Sequence, residues 1–219
     1  NQAVASGSLS TTVGRSADAV GDQAVAVGAT AFANRASTAL GSNSSVRVEG
    51  SIAIGNGADV DNANTFADND FFPASLTDPT RTPSVAIGYD ARTKGTGNTA
   101  VGTQSLAGGA FGEFAPSTGS TAIGAQAQAK TSGSTALGAG TNAANLATAV
   151  GQNAMATGVS SIAVGNGVSV ASDRAIGIGS GATVGAADSV AIGTNATASG
   201  GAAVSIGLGN TATGNGAVA

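Results

Sequence analysis

The chain has 219 residues, 42% hydrophobic and only 9% charged, a balance that argues against disorder. It has no cysteine and no histidine, which removes disulfides, thiolate chemistry, the commonest general base and the usual transition-metal ligand. The net charge of −4, with eight Lys and Arg scattered singly, provides no basic patch for nucleic acid, and no apolar run is long enough for a membrane-spanning helix.

A glycine marks a beat along the whole chain, at Gly14, Gly28, Gly41, Gly55, Gly88, Gly102, Gly124, Gly138, Gly151, Gly165, Gly179, Gly193 and Gly207. Most spacings are 14 residues and two are 13; Gly55 to Gly88 and Gly102 to Gly124 run to 33 and 22. Fourteen residues are too few for a helical hairpin and suit one coil of a β-solenoid. Stacked at about 4.8 Å, such coils would build a rod on the order of 60 Å long. The hydrophobic residues are mostly Ala and Val, which suit thin layers rather than a thick core.

Within a coil the first element ends at the marker glycine, as in Ser51-Ile52-Ala53-Ile54-Gly55 and Ser189-Val190-Ala191-Ile192-Gly193. The residue before the glycine is Val, Ile or Leu in all 13 beats, and two residues earlier it is Thr, Val or Ile. Between them stands Ala in ten beats, with Thr12, Gly177 and Ser205 the exceptions. Large, small, large at period two predicts a strand with its large residues on one face and its small one on the other.

The residue two after the glycine is Gly, Asn or Asp in nine of 13 beats, which predicts a tight turn through positive φ. A second short strand follows, with small residues such as Ala31 and Ala33 or Val168 and Val170 flanking a variable, solvent-facing position. The reading places Val/Ile inside each roll and turns the Ala ladder toward neighbouring chains, with the reverse arrangement as the alternative. Threonine in the first strand, at Thr38, Thr99, Thr121, Thr135 and Thr148, is read as a buried site that accepts any β-branched residue. An apolar strip of this length calls for symmetric self-association.

Two inserts interrupt the beat, at about residues 61–83 and 107–117. They hold all four prolines and five of the seven aromatics, Phe66, Phe71, Phe72, Phe111 and Phe114. Proline cannot continue a central ladder, so these segments should leave the coil, and removing 61–83 should leave the fold intact. Loops on a rigid scaffold are common carriers of binding, which makes the five phenylalanines candidate ligand contacts. The acidic run Asp59-Val60-Asp61-Asn62-Ala63-Asn64 lacks the glycine and distal Glu of an EF-hand, and no metal or cofactor site is assigned.

The recurrent S-[VIT]-A-[VIL]-G, repeated in register along nearly the whole chain outside the inserts, resembles the YadA-like head of trimeric autotransporter adhesins. The resemblance implies an all-β, left-handed parallel β-roll, with residues 1–219 a single head fragment in a homotrimer on a Gram-negative outer membrane. It also implies attachment to host extracellular matrix proteins or cell-surface molecules, or self-aggregation, with no catalysis and no nucleic-acid partner. The stalk and membrane anchor of a complete adhesin are not in this sequence. Its ends read as cut from a longer chain, since Asn1 begins in mid-pattern and Gly214–Ala219 starts another beat.

Other readings are a structural spacer in a surface fibre and an ice- or crystal-binding solenoid, for which a regular Thr array would be the sign. Enzymatic readings fail on residue types. Hexapeptide-repeat acyltransferases need a six-residue period and His, no phosphate-binding P-loop occurs, and the serines that open many beats have no base to activate them.

Overall fold

The alternation of large and small residues before each marker glycine produces a three-residue strand, and the small-variable-small run after it produces a second. The computed structural model describes residues 2–61, 82–109 and 117–219, which form an all-β parallel solenoid of about 14-residue coils with no helix. The chain divides into two compact units, Asn1–Gly119 and Ser120–Ala219, which carry six and seven of the marker glycines.

In the first unit the marker strands Thr11–Val13, Val25–Val27, Thr38–Leu40, Ile52–Ile54, Val85–Ile87 and Thr99–Val101 pair in that order, all parallel. Their partner strands run from Val4–Ala5 to Leu106–Ala107 in a second parallel sheet. Ile52 lies opposite Val85 and Asp59 opposite Arg92, so both ladders continue across the longer spacing without a shift of register. The second unit repeats the plan, from Thr121–Ile123 to Val204–Ile206 in one sheet and from Gln128–Ala129 to Thr211–Ala212 in the other.

The interior overturns the preferred facing of the first strand. The middle alanines, among them Ala26, Ala53, Ala86, Ala136, Ala149 and Ala191, are completely buried inside the roll. Their large neighbours point outward: Ile52, Ile123 and Ile178 are 37–38% exposed. The second strand contributes equally small inward residues, such as Ala17, Ala19, Ala31, Ala33, Ala154 and Ala156, all buried. The two sheets lie close together, so the inner position of the first strand takes a small side chain while those of the second take Ala or, as at Val46, Val60, Val168 and Val170, Val.

Gly177 shows how tight the fit is. It stands where ten other coils have Ala, opposite Val168, Val170 and Val184. A methyl group there would lie 2.7 Å from Val170 Cγ2 and 3.0 Å from Val168 Cγ1. At this position the three valines on one sheet are matched by loss of the methyl on the other.

Serines close the buried corners. Ser37 Oγ donates to Val48 O at 3.0 Å, Ser161 Oγ to Gly158 O at 2.8 Å, and Ser189 Oγ to Gly200 O at 2.7 Å. These hydroxyls are bound to backbone carbonyls in the interior, a structural role. Ser205 Oγ is the exception, buried without a partner.

Each marker glycine opens the first turn at φ between +121° and +138°. The residue two later lies in the left-handed region in every coil, near +56° at Ser16, Asn43, Asn153 and Asn195. The turn between the second strand and the next marker strand also uses positive φ, at Gln23, Ala36, Ser160, Arg174 and Asp188. The two 13-residue coils omit their residue here: Asn34-Arg35-Ala36 and Ala144-Asn145-Leu146 stand where Val20-Gly21-Asp22-Gln23 stands in a longer coil.

Candidate interaction surface

The outward residues of the marker strands form two columns, built by the pleat that buries the alanines. In Ser120–Ala219 the upstream column is Thr121, Thr135, Thr148, Ile162, Ile176, Val190 and Val204. The downstream column is Ile123, Leu137, Val150, Val164, Ile178, Ile192 and Ile206. Asn1–Gly119 carries the same two columns, from Thr11 and Val13 to Thr99 and Val101.

No charged side chain interrupts either column. At about a third exposed, each residue leaves on the order of 50 Å² in solvent, and the second unit's face presents roughly 700 Å². A lone soluble domain rarely leaves a contiguous apolar patch of that size uncovered. It approaches the ~800 Å² that each partner contributes to a stable interface. The first-strand threonines, read from sequence as buried, stand on this exposed face.

The outward face of the second sheet is mixed in Asn1–Gly119 and mostly polar in Ser120–Ala219. In Asn1–Gly119 its ladder runs Val4, Asp18, Phe32, Ser45, Asp59, Arg92, Leu106. Ion pairs join successive coils there: Arg35 Nε to Glu49 Oε1 at 2.9 Å and Arg47 to Asp61 at 3.7 Å. In Ser120–Ala219 the ladder is uncharged: Gln128, Asn142, Met155, Ser169, Thr183, Thr197, Thr211. One exposed coil-to-coil pair flanks it, Arg174 to Asp188 at 2.6 Å, and the guanidinium holds the Asp188 carboxyl below its ordinary range. Exposed pairs of this kind contribute little to stability.

Among the described residues Asp59 is the one strongly perturbed group. Its carboxyl is pushed up to about 6, first by burial and then by Asp61; Arg47, Arg92 and the Ser45 hydroxyl oppose the shift. Its Oδ1 is buried without a hydrogen bond. The folded state therefore binds this proton more tightly than the unfolded chain, whose carboxyl titrates near 3.8. Stability from this group is fully present below pH ~4 and is lost as pH rises through about 6, by at most about 3 kcal/mol. Denaturant unfolding at pH 4.5 and 7.5 should show a drop in stability that Asp59→Asn abolishes. An equal drop in both proteins would show that the carboxylate is well solvated.

Among the described residues no group of three or more acidic side chains is placed to hold a metal ion. The phenylalanines singled out as ligand contacts, Phe66, Phe71, Phe72, Phe111 and Phe114, lie outside the described residues. Sequence reasoning held the outward Val/Ile columns only as its alternative. Their signal was present in composition: the inner position is Ala in ten of 13 beats and never larger than Thr, whereas the outer ones vary among Val, Ile, Leu and Thr, as a surface tolerates and a narrow interior does not.

A search of curated proteins found no match to the chain. A family profile described as the YadA head domain repeat matches residues 33–58, 82–105, 115–141, 144–167 and 172–196, more than half of the chain. Heads of this family belong to surface-exposed, adhesin-like trimeric autotransporters of Gram-negative bacteria, and the family and its solenoid fold are typically non-enzymatic. The five matched segments cover both units, each aligned on the coils described above, and the chain belongs to the YadA head domain family.

Proposed function

We propose that this chain is the head of a surface-displayed adhesin, a homotrimer joined through the outward Val/Ile/Thr columns of the marker sheet. The observation that carries the reading is the pair of uncharged, mostly aliphatic columns left in solvent on each unit, a face that a second and a third copy would cover. Burying it leaves the second-sheet ladders outermost. In Ser120–Ala219 the ladder presents hydroxyls and amides on six of its seven levels, in three copies per assembly. Weak contacts repeated in this way sum to useful avidity when the partner also repeats, as extracellular matrix proteins and other heads do. The insert phenylalanines Phe66, Phe71, Phe72, Phe111 and Phe114 are the candidates for an added apolar contact.

Sedimentation equilibrium over a wide concentration range should give the mass of three chains, and a stable monomer would remove the reading. The trimer should then bind immobilised matrix proteins, or aggregate beads coated with itself. Binding to neither would leave a spacer role in a surface fibre. Removing residues 63–81 shortens the 33-residue spacing to 14, the ordinary period. Because the ladders already pass from Ile52 to Val85 in register, the shortened chain should fold and trimerise. Loss of matrix binding in that variant alone would assign the contact to the insert.

A further inference from the structure

We propose that the threonines of the upstream outward column set the register in which copies of this chain associate. The inference rests on the self-association reading above. A solenoid face repeats at every coil, so a copy displaced by one coil, about 4.8 Å, offers its neighbour nearly the same aliphatic surface. Apolar burial is non-directional and discriminates poorly between such positions. A closed cyclic assembly nevertheless requires identical residues at identical heights. Some feature that does not repeat has to select that alignment.

The upstream column supplies one. In Asn1–Gly119 it reads Thr11, Val25, Thr38, Ile52, Val85, Thr99 in ladder order. The downstream column of the same unit is aliphatic throughout: Val13, Val27, Leu40, Ile54, Ile87, Val101. In Ser120–Ala219 the upstream order is three threonines, Thr121, Thr135 and Thr148, and then four aliphatic residues from Ile162 to Val204. The six threonine hydroxyls make no hydrogen bond to any other described residue. They are donors and acceptors without partners, set in an apolar face.

In aligned copies each threonine meets threonines of its neighbours at the same height, where the hydroxyls pair across the interface. A slip of one coil changes this. In the first unit four of the five overlapping levels then set a hydroxyl against Val or Ile; only the Ile52–Val85 level stays matched. In the second unit the Thr148 level falls on Ile162. A hydroxyl buried without a partner reduces the population of that arrangement by roughly tenfold or more, and the first unit alone accumulates several such losses. Single polar residues fix register in coiled coils by the same logic, at some expense of stability.

The absence of cysteine makes the test direct. Ile54→Cys and Ile87→Cys occupy neighbouring coils of the downstream column. The two proteins are unfolded, mixed, refolded and oxidised, because a disulfide spans only about 4 Å between Cβ atoms and so discriminates an offset of one coil, about 4.8 Å. In the native background, 54–54 and 87–87 products should exceed the 54–87 product by about tenfold or more. With all six threonines changed to valine the assembly should form at least as tightly, while the 54–87 product rises to the level of the other two. Six Thr→Ser changes keep the hydroxyls and should keep the native pattern. If the six-valine protein does not fold, Thr11→Val, Thr38→Val and Thr99→Val together serve as the second variant. A valine protein as uniform in register as its parent would overturn the proposal. A parent that sediments as a monomer would overturn the self-association reading itself, a result visible before any crosslinking.

Discussion

Replacing Gly151 by alanine should prevent the second unit from folding or lower its stability by more than about 3 kcal/mol, whereas Gly167→Asn should be nearly neutral. The two glycines sit in adjacent coils but meet different constraints. Gly151 has φ +121°, and a Cβ there would lie 2.4 Å from the carbonyl oxygen of Gly165 in the next coil. That neighbour is backbone and cannot rotate aside. Relief would require the two coils to separate, breaking the bond from Gly165 N to Val150 O at 2.8 Å. Gly167 has φ +62° with nothing within 4 Å of its Cβ direction. Asn43, Asn153 and Asn195 hold the matching place in other coils at φ +55° to +57°. Asparagine accepts that well at small cost, while φ near +130° is open to glycine alone. Denaturant titration of the two variants separates the cases; equal losses would mean that the coil spacing relaxes freely around an added methyl.

The same contrast explains how much of this molecule could be read from its residues. The period, the two strands and the first turn were legible because each is dictated locally: by β-branched alternation, by a glycine that only glycine can replace, and by the Gly/Asn/Asp preference two residues later. Which face of the first strand turns inward was not local. Val-Ala-Ile alternates identically whether the alanine or its neighbours are buried, and the answer depends on how closely the second sheet approaches. Gly177 opposite Val168, Val170 and Val184 is the clearest sign of that spacing, and it pairs residues from different strands.

The second turn was illegible for another reason. Gln23, Ala36, Arg174 and Asp188 all adopt positive φ there, although none is a turn residue by preference except Asp. Bonds to the preceding coil, such as Gln23 N to Ser8 O at 2.8 Å and Arg174 N to Val159 O at 2.8 Å, hold the backbone in place whatever the side chain. Asp59 likewise reads as one acid in an acidic stretch; its burial comes from its position in the ladder between Ser45 and Arg92, and that burial, followed by Asp61, raises its carboxyl.

Introducing Ile178→Asp together with Ile192→Asp should weaken self-association by at least about a thousandfold and leave each chain folded. Both side chains lie on the outward columns, 38% and 36% exposed in the single chain, so a carboxylate there stays hydrated when the chain is alone. Their inward neighbours Gly177 and Ala191 are untouched, and the ladder bonds from Gly179 N to Val164 O and from Gly193 N to Ile178 O involve backbone only. In an assembly joined through this face, every copy would bring both carboxylates into the same apolar layer. Each would then lose water without gaining a cation, because the face carries no Lys or Arg. Symmetry multiplies the effect, since like charges from all copies meet at the same height. Circular dichroism should match the parent, and sedimentation should show monomer at concentrations where the parent is fully assembled. Paired changes on the other sheet, Thr183→Asp and Thr197→Asp, should leave the mass unaltered while altering whatever the second-sheet ladder binds. If the Ile variants kept the parent's mass and the Thr variants lost it, the assembly would be built through the polar ladder, and the apolar columns would be the surface left for a partner.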